Sequence, residues 1–378
     1  MKLNIRRFII LTAALSVLSV SCEKGQKRAN TIIEDNLFGI EYDDYDFEAG
    51  VEYYSRHLPP KDAPACSEVR KGDYIGRNLD YYINRNASAI IKVNANGKRL
   101  ASVGVVGCSR EFSRELAADG RYDSIYEYLP LRTSDGINEK GVYIGVNVVP
   151  TGETSLDSEK WRYHEWGLGA AFTNKSSDKK YPTLCLTRFV LDNAVSVDDA
   201  IQKIMSVNWY DPYNYPFEGD AQSFHWMLAD GTKNCVVEFL ENELVVTVAD
   251  DIDKASFGTV MTNFTNACMA AEVMQYHGQG YERFDILSRN YDAAEESFAG
   301  MEALMQKVWY SKYYTTPERS EEYWLSETEL EGYAAWELYH HYELWDNKDL
   351  QDQVASDKAA WADKNNWYND STSLWFTV

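Results

Sequence analysis

CSEVRKGDYIGRNLD, residues 66–80, is the stretch that decides the fold of this chain. Residues with strand character flank Arg70-Lys71-Gly72-Asp73, a run with turn chemistry, so the stretch predicts a β-hairpin. A hairpin brings its two ends together, so Cys66 at the start of the first strand can lie beside Arg77 and Asp80 on the second. The stretch therefore predicts a thiol, a fixed cation and a carboxylate at one end of a hairpin.

Cleavage of the chain before Cys66 would create a nucleophile that carries its own base. The residue would then have a thiol with a pKa of about 8.5 and an α-amine with a pKa of about 7.7–8.0. The amine could accept the thiol proton near neutral pH without a histidine. Arg77 would favour the thiolate, and Asp80 would hold the ammonium near the sulfur. The alternatives are a buried structural thiol at Cys66 and a plain salt bridge between Arg77 and Asp80.

Residues 1–22 have the pattern of a secretory signal peptide. Basic residues near the start precede an apolar run, Phe8 to Val20, that is too short to span a bilayer with ease. The run ends in LSVSC, residues 18–22, which is similar to a bacterial lipobox and predicts Cys22 as a lipid acceptor. The alternative is an ordinary cleaved signal. We therefore expect a protein exported from a bacterial cell, either periplasmic or held on the membrane as a lipoprotein, with no other membrane-spanning segment.

The composition indicates a globular protein whose ligand is small. The chain has 378 residues, of which 45% are hydrophobic, and its 27 Tyr and 11 Trp could line a pocket for an amphipathic ligand. The formal net charge of −22 argues against a nucleic-acid partner. It also provides no long-range attraction for an anionic substrate, so local cations must hold one. The oligomeric state is left open, and a homo-oligomer is compatible with the sequence.

No metal or cofactor is predicted. The six histidines form no His-Glu-x-x-His motif, and no glycine-rich phosphate loop is present. His340 and His341 are adjacent, so on a helix they would point apart. His164 and His225 are expected to pack like aromatic residues. Four cysteines lie in apolar surroundings and are expected to be small buried residues: Cys108, Cys185, Cys235 and Cys268.

Residues 23–65 form an acidic, tyrosine-rich lead-in segment before Cys66. The segment closes with PPKDAPA, residues 59–65, which predicts an extended and exposed connector. It could be a tether between a lipid anchor and the domain, or a pro-segment that is removed to free Cys66. Both roles can hold together. Residues 66–378 are then one domain.

The order of predicted elements after Cys66 indicates the class α+β rather than a doubly wound parallel sheet. Strands come first, followed by helix, further strands and a helical region. Strands are predicted at residues 87–93, 100–106, 142–149, 223–229, 235–239, 244–248 and 259–262. Helix is predicted at residues 184–205, with a second start capped by Ser196, and at residues 284–350.

Six segments occur in the order seen in choloylglycine hydrolases, which include bile salt hydrolases and penicillin V acylases. They are Cys66, GRNLD (76–80), DGINEKG (135–141), Val146-Asn147, MTN (261–263) and ERF (282–284). The chain resembles this family of linear-amide C–N hydrolases, part of the N-terminal nucleophile superfamily, from Cys66 to about Leu287. Residues 186–201 are similar to its mid-chain helical segment. The resemblance implies a four-layer αββα sandwich, in which two antiparallel sheets face each other between helices.

The resemblance also implies roles for particular residues. Cys66 would be the nucleophile, with Arg77 beside its thiol and Asp80 bound to its α-amine. Asn147 and Asn263 would lie near the oxyanion, and Arg283 would be a structural or catalytic cation. The alternatives read from the residues alone are a strand bulge at Asn147, a turn cap at Asn263 and an ion pair of Arg283 with Asp285.

Some features depart from the family pattern. The hairpin that joins Cys66 to Arg77 is shorter than in bile salt hydrolases, and Phe264-Thr265 follows Asn263 where a small residue and proline are usual. The chain ends at LWFTV, residues 374–378, where the family continues through further strand sequence, so an incomplete sheet edge is expected there.

The expected activity is hydrolysis of an N-acyl amide such as a conjugated bile salt, penicillin V or an acyl-homoserine lactone. Asn147 favours bile salts, because penicillin acylases typically have Tyr at this position. One alternative is an N-terminal-nucleophile dipeptidase or acyltransferase that uses the same cysteine. Another is a catalytically silent surface lipoprotein that binds amphipathic ligands.

Overall fold

The computed structural model describes residues 30–34, 37–57, 66–82, 88–107, 126–149, 172–210, 223–240, 242–270, 279–308 and 371–377. The chain divides into two compact units. The first comprises Met1–Pro60, Arg85–Gly145 and Asn174–Asn208, and the second comprises Lys61–Asn84, Val146–Thr173 and Trp209–Val378.

The described strands and helices occur largely in separate runs along the chain, as expected of the class α+β. In chain order they are β1 (Asn30–Glu34), β2 (Leu37–Tyr42), α1 (Phe47–Arg56), β3 (Cys66–Lys71), β4 (Tyr74–Tyr82), β5 (Ser88–Val93), β6 (Ser102–Gly107), β7 (Asp135–Asn138), β8 (Tyr143–Val149), β9 (Lys180–Pro182), α2 (Leu186–Asn193), α3 (Val197–Met205), β10 (Asn208–Tyr210), β11 (Ser223–Ala229), β12 (Asn234–Leu240), β13 (Glu243–Val248), β14 (Val260–Met261), α4 (Asn266–Ala270), α5 (Gln279–Asn290), α6 (Phe298–Gln306) and β15 (Ser371–Thr377). Short 3₁₀ turns lie at Leu129–Arg132 and Thr183–Cys185.

In the first unit, helices cover a sheet with the strand order β1-β2-β5-β6-β7-β8. Strand β2 runs parallel to β5, whereas the pairs β5–β6, β6–β7 and β7–β8 are antiparallel. Buried polar groups join helix to sheet: Asn138 donates to the carbonyl oxygens of Leu191 and Ala194 at 3.2 and 2.8 Å. Arg188 on α2 donates to Ser102 at 2.5 Å.

The helix predicted at residues 184–205 is two helices. Helix α2 ends at Asn193, and α3 begins after Ser196, whose hydroxyl accepts a hydrogen bond from the backbone N–H of Asp199 at 3.1 Å. The predicted cap at Ser196 is therefore confirmed. A serine oxygen that satisfies an otherwise unpaired N–H at a helix start is the physical reason for the second start.

The lead-in segment is part of this unit over its described residues. It contributes β1, β2 and α1, with Asp46 as the cap of α1 through a hydrogen bond from the Ala49 N–H at 3.0 Å. Residues 59–65, where an extended connector is predicted, lie outside the described residues, as does the predicted signal peptide with Cys22. Removal of the segment stays a prediction.

The second unit contains the hairpin predicted from residues 66–80. Strands β3 and β4 pair in antiparallel register from Cys66↔Leu79 to Lys71↔Tyr74. The connecting turn holds Gly72 at a φ of 55°, a left-handed conformation that glycine adopts without steric cost. The predicted hairpin is confirmed.

Two further strands extend the hairpin to the order β14-β3-β4-β15. The C-terminal residues Ser371–Thr377 form β15 and pair with β4 from Ser371↔Tyr82 to Thr377↔Gly76. The sequence predicted an incomplete edge here, but the described residues supply a strand to this edge. The segment STSLWFT contains Thr372, Thr377 and the aromatic pair Trp375-Phe376, residue types with high β propensity.

The second unit has a helix layer on one side of the hairpin and a second sheet on the other. Val69 packs in a core cluster with residues of α5 and α6, such as Leu287 and Met305. Arg77, on the opposite face, reaches the backbone of β8. Strand β8 neighbours the antiparallel strands β11, β12 and β13. The predicted class α+β is confirmed, and this unit contains the pair of facing sheet layers that the resemblance implies.

Several sequence predictions can be compared with the remaining described residues. Cys185 and Cys235 are buried and form no disulfide, as expected of small core residues. Helices α5 and α6 confirm the start of the predicted helical region, whereas residues 309–370 lie outside the described residues. The same holds for Cys108, His164 and the side chain of Cys268. Among the helices described, none combines the length and the apolar character needed to span a bilayer.

Candidate active site

The pleat of the hairpin places Cys66 and Arg77 on one face. Side chains alternate between the faces of a strand, so Cys66 and Glu68 share one face of β3 while Val69 points to the helix side. Arg77 lies directly opposite Glu68, and Cys66 lies opposite Leu79. Cys66 and Arg77 are thus diagonal neighbours, about 7–8 Å apart at their backbones, which is within reach of a long side chain.

Arg77 is buried and held from three directions. Its guanidinium forms an ion pair with Glu68 across the hairpin. It also donates to the carbonyl oxygen of Val146 at 2.6 Å and to the Oδ1 of Asn147 at 3.1 Å. Arg77 and Glu68 are 1% and 0% exposed, so the pair is shielded from water. A planar cation held in this way is a fixed positive charge beside the face that bears Cys66.

The main chain of Cys66 is held by two side chains distant in sequence. Its N–H donates to the Oδ1 of Asn263 at 2.9 Å, and its carbonyl oxygen accepts from the Nη1 of Arg283 at 2.6 Å. The Nη2 of Arg283 also donates to the same Oδ1 of Asn263. All three residues are buried. The nitrogen that would become the α-amine is therefore hydrogen-bonded to a side-chain oxygen.

The two asparagines expected near the oxyanion also organise the backbone. The Nδ2 of Asn147 donates to the carbonyl oxygens of Met261 and Thr262 at 3.4 and 3.3 Å. The Nδ2 of Asn263 donates to Val148 at 2.6 Å. Each side chain therefore links β8 to the segment that follows β14. An amide NH₂ has two hydrogens, so the hydrogen bond of Asn263 uses only one of them. Their role at an oxyanion stays a prediction.

Arg283 and Asp80 are the remaining residues predicted at the site. Arg283 was open between a site role and an ion pair with Asp285. Arg283 contacts Cys66 and Asn263, and Asp285 forms an ion pair with Arg289 at 2.8 Å. Asp80 lies on β4, and its side chain falls outside the described part of the structure.

Glu68 is a site residue that the sequence reasoning missed. A signal for it was present, because the two-residue turn at Gly72-Asp73 sets the register and places Glu68 directly opposite Arg77. A glutamate that lies two positions after the candidate nucleophile on the same strand face has opposite charge to its cross-strand neighbour. That pairing can be read from the sequence once the register is assumed.

His225 also differs from the expectation. It was expected to pack like an aromatic residue, but its Nδ1 lies 3.1 Å from Glu238 and its Nε2 lies 2.7 Å from the carbonyl oxygen of Thr262. Glu238 in turn accepts from the N–H groups of Asn266 and Ala267 at 2.9 and 2.7 Å. This buried polar network holds both ends of the segment that carries Asn263. A buried polar side chain needs hydrogen-bond partners, which is why both ring nitrogens of His225 are within hydrogen-bond distance of an oxygen atom.

The described residues contain no group of three or more His, Cys, Asp or Glu side chains that could hold a metal ion. The chemistry that this site offers comes from one thiol, two buried guanidinium groups and two side-chain amides. That set can stabilise a thiolate and hold a main-chain amine in place.

Comparison with known proteins identifies the family. The sequence profile of the linear amide C–N hydrolases, choloylglycine hydrolase family, matches residues 66–266. This match covers more than half of the 378 residues, and the chain belongs to this family of hydrolases. The match begins at Cys66 and includes Arg77, Asp80, Asn147 and Asn263, whereas Arg283 lies beyond it. Curated protein sequences contain no match to the chain.

Solved structures of the same kind are similar at low identity. Two crystal structures of variants of the conjugated bile acid hydrolase from Clostridium perfringens share 18% and 16% identity with this chain, with TM-scores of 0.41 and 0.42. Each match covers 65% of this chain and 79% of the other. Penicillin V acylase from Agrobacterium tumefaciens has 16% identity and a TM-score of 0.38, and the match covers 67% of this chain and 75% of that one. The assignment to the family rests on the sequence match.

Proposed function

We propose that Cys66 becomes the first residue of the mature chain and is the nucleophile of an amidase. The observation that carries the proposal is the environment of the Cys66 main chain. Its N–H donates a hydrogen bond to the Oδ1 of Asn263, and its carbonyl oxygen accepts one from Arg283. Asn263 and Arg283 are both buried. Hydrolysis of the Ala65–Cys66 bond would add water, leaving a carboxylate on Ala65 and an amine on Cys66. The Oδ1 of Asn263 could then orient this amine.

The reaction would proceed through a thioester. The α-amine takes the thiol proton, and the buried charge of Arg77 favours the thiolate. The thiolate attacks the carbonyl carbon of the substrate amide, and the tetrahedral oxyanion that forms needs hydrogen-bond donors. The second Nδ2 hydrogen of Asn263 is the proposed donor, and one such donor contributes on the order of 3 kcal/mol. Asn147, whose Nδ2 donates to two backbone carbonyl oxygens, would act as a further donor by giving up one of these hydrogen bonds.

The leaving amine takes a proton from the ammonium as the C–N bond breaks, and the acyl group stays on sulfur. Water activated by the same α-amine then attacks the thioester and releases the product acid, which regenerates the thiol. Asp80 would hold the ammonium, as the family resemblance implies. Glu68, which forms a buried ion pair with Arg77, is proposed as a positioning residue for Arg77.

We propose conjugated bile salts as the substrate class, with penicillin V as the nearest alternative. Asn147 supports bile salts as substrates, because bile salt hydrolases resemble this chain at that position whereas penicillin acylases typically have Tyr. The solved structures similar to this chain include hydrolases of conjugated bile acid and a penicillin V acylase. The substrate would be a small amphipathic N-acyl amide. Export through residues 1–22 and a lipid anchor on Cys22 would place the enzyme outside the cytoplasm.

The test combines the mass of the active chain with a substrate panel. We expect the active chain to begin at Cys66, and we expect glycine- and taurine-conjugated bile salts to be hydrolysed faster than penicillin V. Product analysis with and without an added acceptor amine distinguishes hydrolysis from acyl transfer. Active protein that begins upstream of Cys66 would refute the mechanism. A correctly processed chain that hydrolyses no member of the panel would favour a dipeptidase or a silent ligand-binding lipoprotein.

A further inference from the structure

The lead-in segment is built into the sheet of the first unit. Strand β2 pairs in parallel with β5 from Leu37↔Ser88 to Tyr42↔Val93, and β1 pairs with the other side of β2. Without these strands, β5 would expose the unpaired N–H and C=O groups of a sheet edge. Sheet-edge pairing of this extent is expected of a structural element rather than of a loose tether.

Side chains of the lead-in segment also enter the core of the unit. Ile40, Tyr42, Tyr45 and Tyr54 are 1%, 4%, 4% and 2% exposed. Gly50 on α1 packs so closely against Leu131 that a Cβ added there would lie 2.6 Å from the Leu131 Cδ2. Helix α1 is therefore seated against the 3₁₀ turn that contains Leu131. Loss of the segment would uncover this apolar surface.

Buried polar contacts add specificity to the apolar ones. The hydroxyl of Tyr45 donates to the Oδ2 of Asp192, which also pairs with Arg188 at 2.9 Å. Arg99 lies over the Tyr45 ring, 3.7 Å from its centre, and donates to the Tyr45 carbonyl oxygen at 2.5 Å. The Tyr42 hydroxyl donates to the carbonyl oxygen of Tyr126 at 2.6 Å. Each contact joins the lead-in segment to residues that follow Cys66 in the chain.

We propose that the lead-in segment stays bound after cleavage at Ala65–Cys66, so that the mature enzyme consists of two non-covalently associated chains. This inference rests on the proposed function, which requires the cleavage. The partner of the chain that begins at Cys66 is then its own former N-terminus. If Cys22 carries a lipid, the anchor and the catalytic chain are separate polypeptides, and the contacts of β2 and α1 alone hold the enzyme on the membrane.

The experiment uses the full chain with a controlled cut. Residues 59–65 take part in none of the contacts above, so they can be replaced by the recognition site of a specific protease that leaves Cys66 as the new first residue. After digestion, native size-exclusion chromatography with intact mass determination shows whether the lead-in peptide co-elutes with the tagged C-terminal chain. Guanidinium should separate the two chains. Amidase activity is measured before and after the cut.

The two readouts separate this inference from the proposed function. We expect the peptide to co-elute in equimolar amount and activity to appear only after the cut. Loss of the peptide with gain of activity would overturn the inference and leave the proposed function intact. Co-elution without activity would support the inference and refute the function. Loss of the peptide without activity would refute both.

Variants test whether the named contacts retain the lead-in peptide after the cut. Tyr45→Phe removes a buried hydrogen bond to a carboxylate and should weaken retention of the peptide by about ten-fold or more, measured as its dissociation on dilution. Gly50→Val should weaken it through the clash with Leu131. Ser55→Val introduces the same side chain at an exposed position of α1 and should leave retention unchanged. Wild-type retention in both Tyr45→Phe and Gly50→Val would contradict the proposal.

Discussion

Cys66 and Cys185 are both fully buried thiols, but their surroundings give them different chemistry. Burial raises the pKa of the Cys185 thiol far above its usual value, although Arg132 opposes the shift. That thiol stays protonated and inert at neutral pH. Cys66 instead lies in a polar environment, diagonal to Arg77 and with its main chain bonded to Asn263 and Arg283. The comparison separates a structural thiol from a candidate nucleophile.

Cys66→Ala should therefore reduce hydrolysis below detection and leave the thermal melt nearly unchanged. Cys66→Ser should be strongly impaired, because a hydroxyl is much harder to deprotonate than a thiol. Cys185→Ala is the matched control, and it should keep wild-type kcat/KM while losing about 1 kcal/mol of stability. Iodoacetamide should inactivate the Cys185→Ala variant as fast as the wild type. An unchanged rate after alkylation would exclude Cys66 as the nucleophile.

Glu68 offers a second residue-level test, of whether a buried ion pair holds Arg77 in place, because its carboxylate pairs with the Arg77 guanidinium. Glu68→Gln keeps the shape but removes a buried negative charge that pairs with Arg77, so it should cost about 3–5 kcal/mol of unfolding free energy and lower kcat. The control is Glu52→Gln, the same change in a pair with Arg56 whose side chains are 64% and 69% exposed. That change should cost about 0–1 kcal/mol.

A double variant completes this test. Glu68→Gln combined with Arg77→Met removes both charges of this ion pair and should be more stable than Glu68→Gln alone, because the buried guanidinium is removed together with the carboxylate that pairs with it. Denaturant unfolding and kcat/KM are measured on all three variants. A Glu68→Gln chain with wild-type stability would show that the ion pair does not hold Arg77.

At the scale of elements, helix α5 acts on the hairpin through one side chain. Arg283 near the start of the helix reaches both the carbonyl oxygen of Cys66 and the Oδ1 of Asn263. Arg289, near its end, forms a partly exposed pair with Asp285. The same helix thus carries one buried arginine that contacts the candidate nucleophile and one partly exposed arginine that pairs with Asp285.

Arg283→Lys should keep the charge but lose the planar fork that spans two acceptors. We expect kcat to fall by about ten-fold or more, since loss of one charge-assisted hydrogen bond amounts to about 1.5–3 kcal/mol. KM should change less, because the residue touches Cys66 rather than the substrate. Arg289→Lys is the matched control on the same helix, and it should retain wild-type kinetics. Equal effects of the two substitutions would refute a specific role for Arg283.

At the scale of the whole molecule, the net charge of −22 acts against an anionic substrate. Repulsion at a distance is strongest at low ionic strength, where the Debye length is about 30 Å at 0.01 M compared with about 8 Å at 0.15 M. We expect kcat/KM for a taurine-conjugated bile salt to rise by about two-fold or more when the ionic strength is raised from about 0.01 M to about 0.15 M. An uncharged N-acyl amide serves as the control and should show no change. A fall for the anionic substrate would indicate that local cations dominate its approach.

Local sequence patterns were sufficient to predict much of the secondary structure of this protein. The turn residues at Gly72-Asp73 and the strand-forming residues beside them determine the hairpin and its register, and the register determines that Cys66, Glu68 and Arg77 share a face. Ser196 determines a helix start through a hydrogen bond three residues away. Such features depend on neighbours in the chain, so propensity and spacing are enough to predict them.

Only the tertiary structure decided what holds Cys66 and where the lead-in segment packs. Asn263 and Arg283 lie 197 and 217 positions from Cys66, and nothing local to either residue specifies that contact. The sequence leaves the acidic lead-in segment as a tether, a pro-segment or both, and the structure shows that it pairs in parallel with β5 and buries tyrosines such as Tyr42 and Tyr54. Parallel pairing and core packing are set by which distant surfaces meet when the chain closes, and a linear pattern does not contain that information.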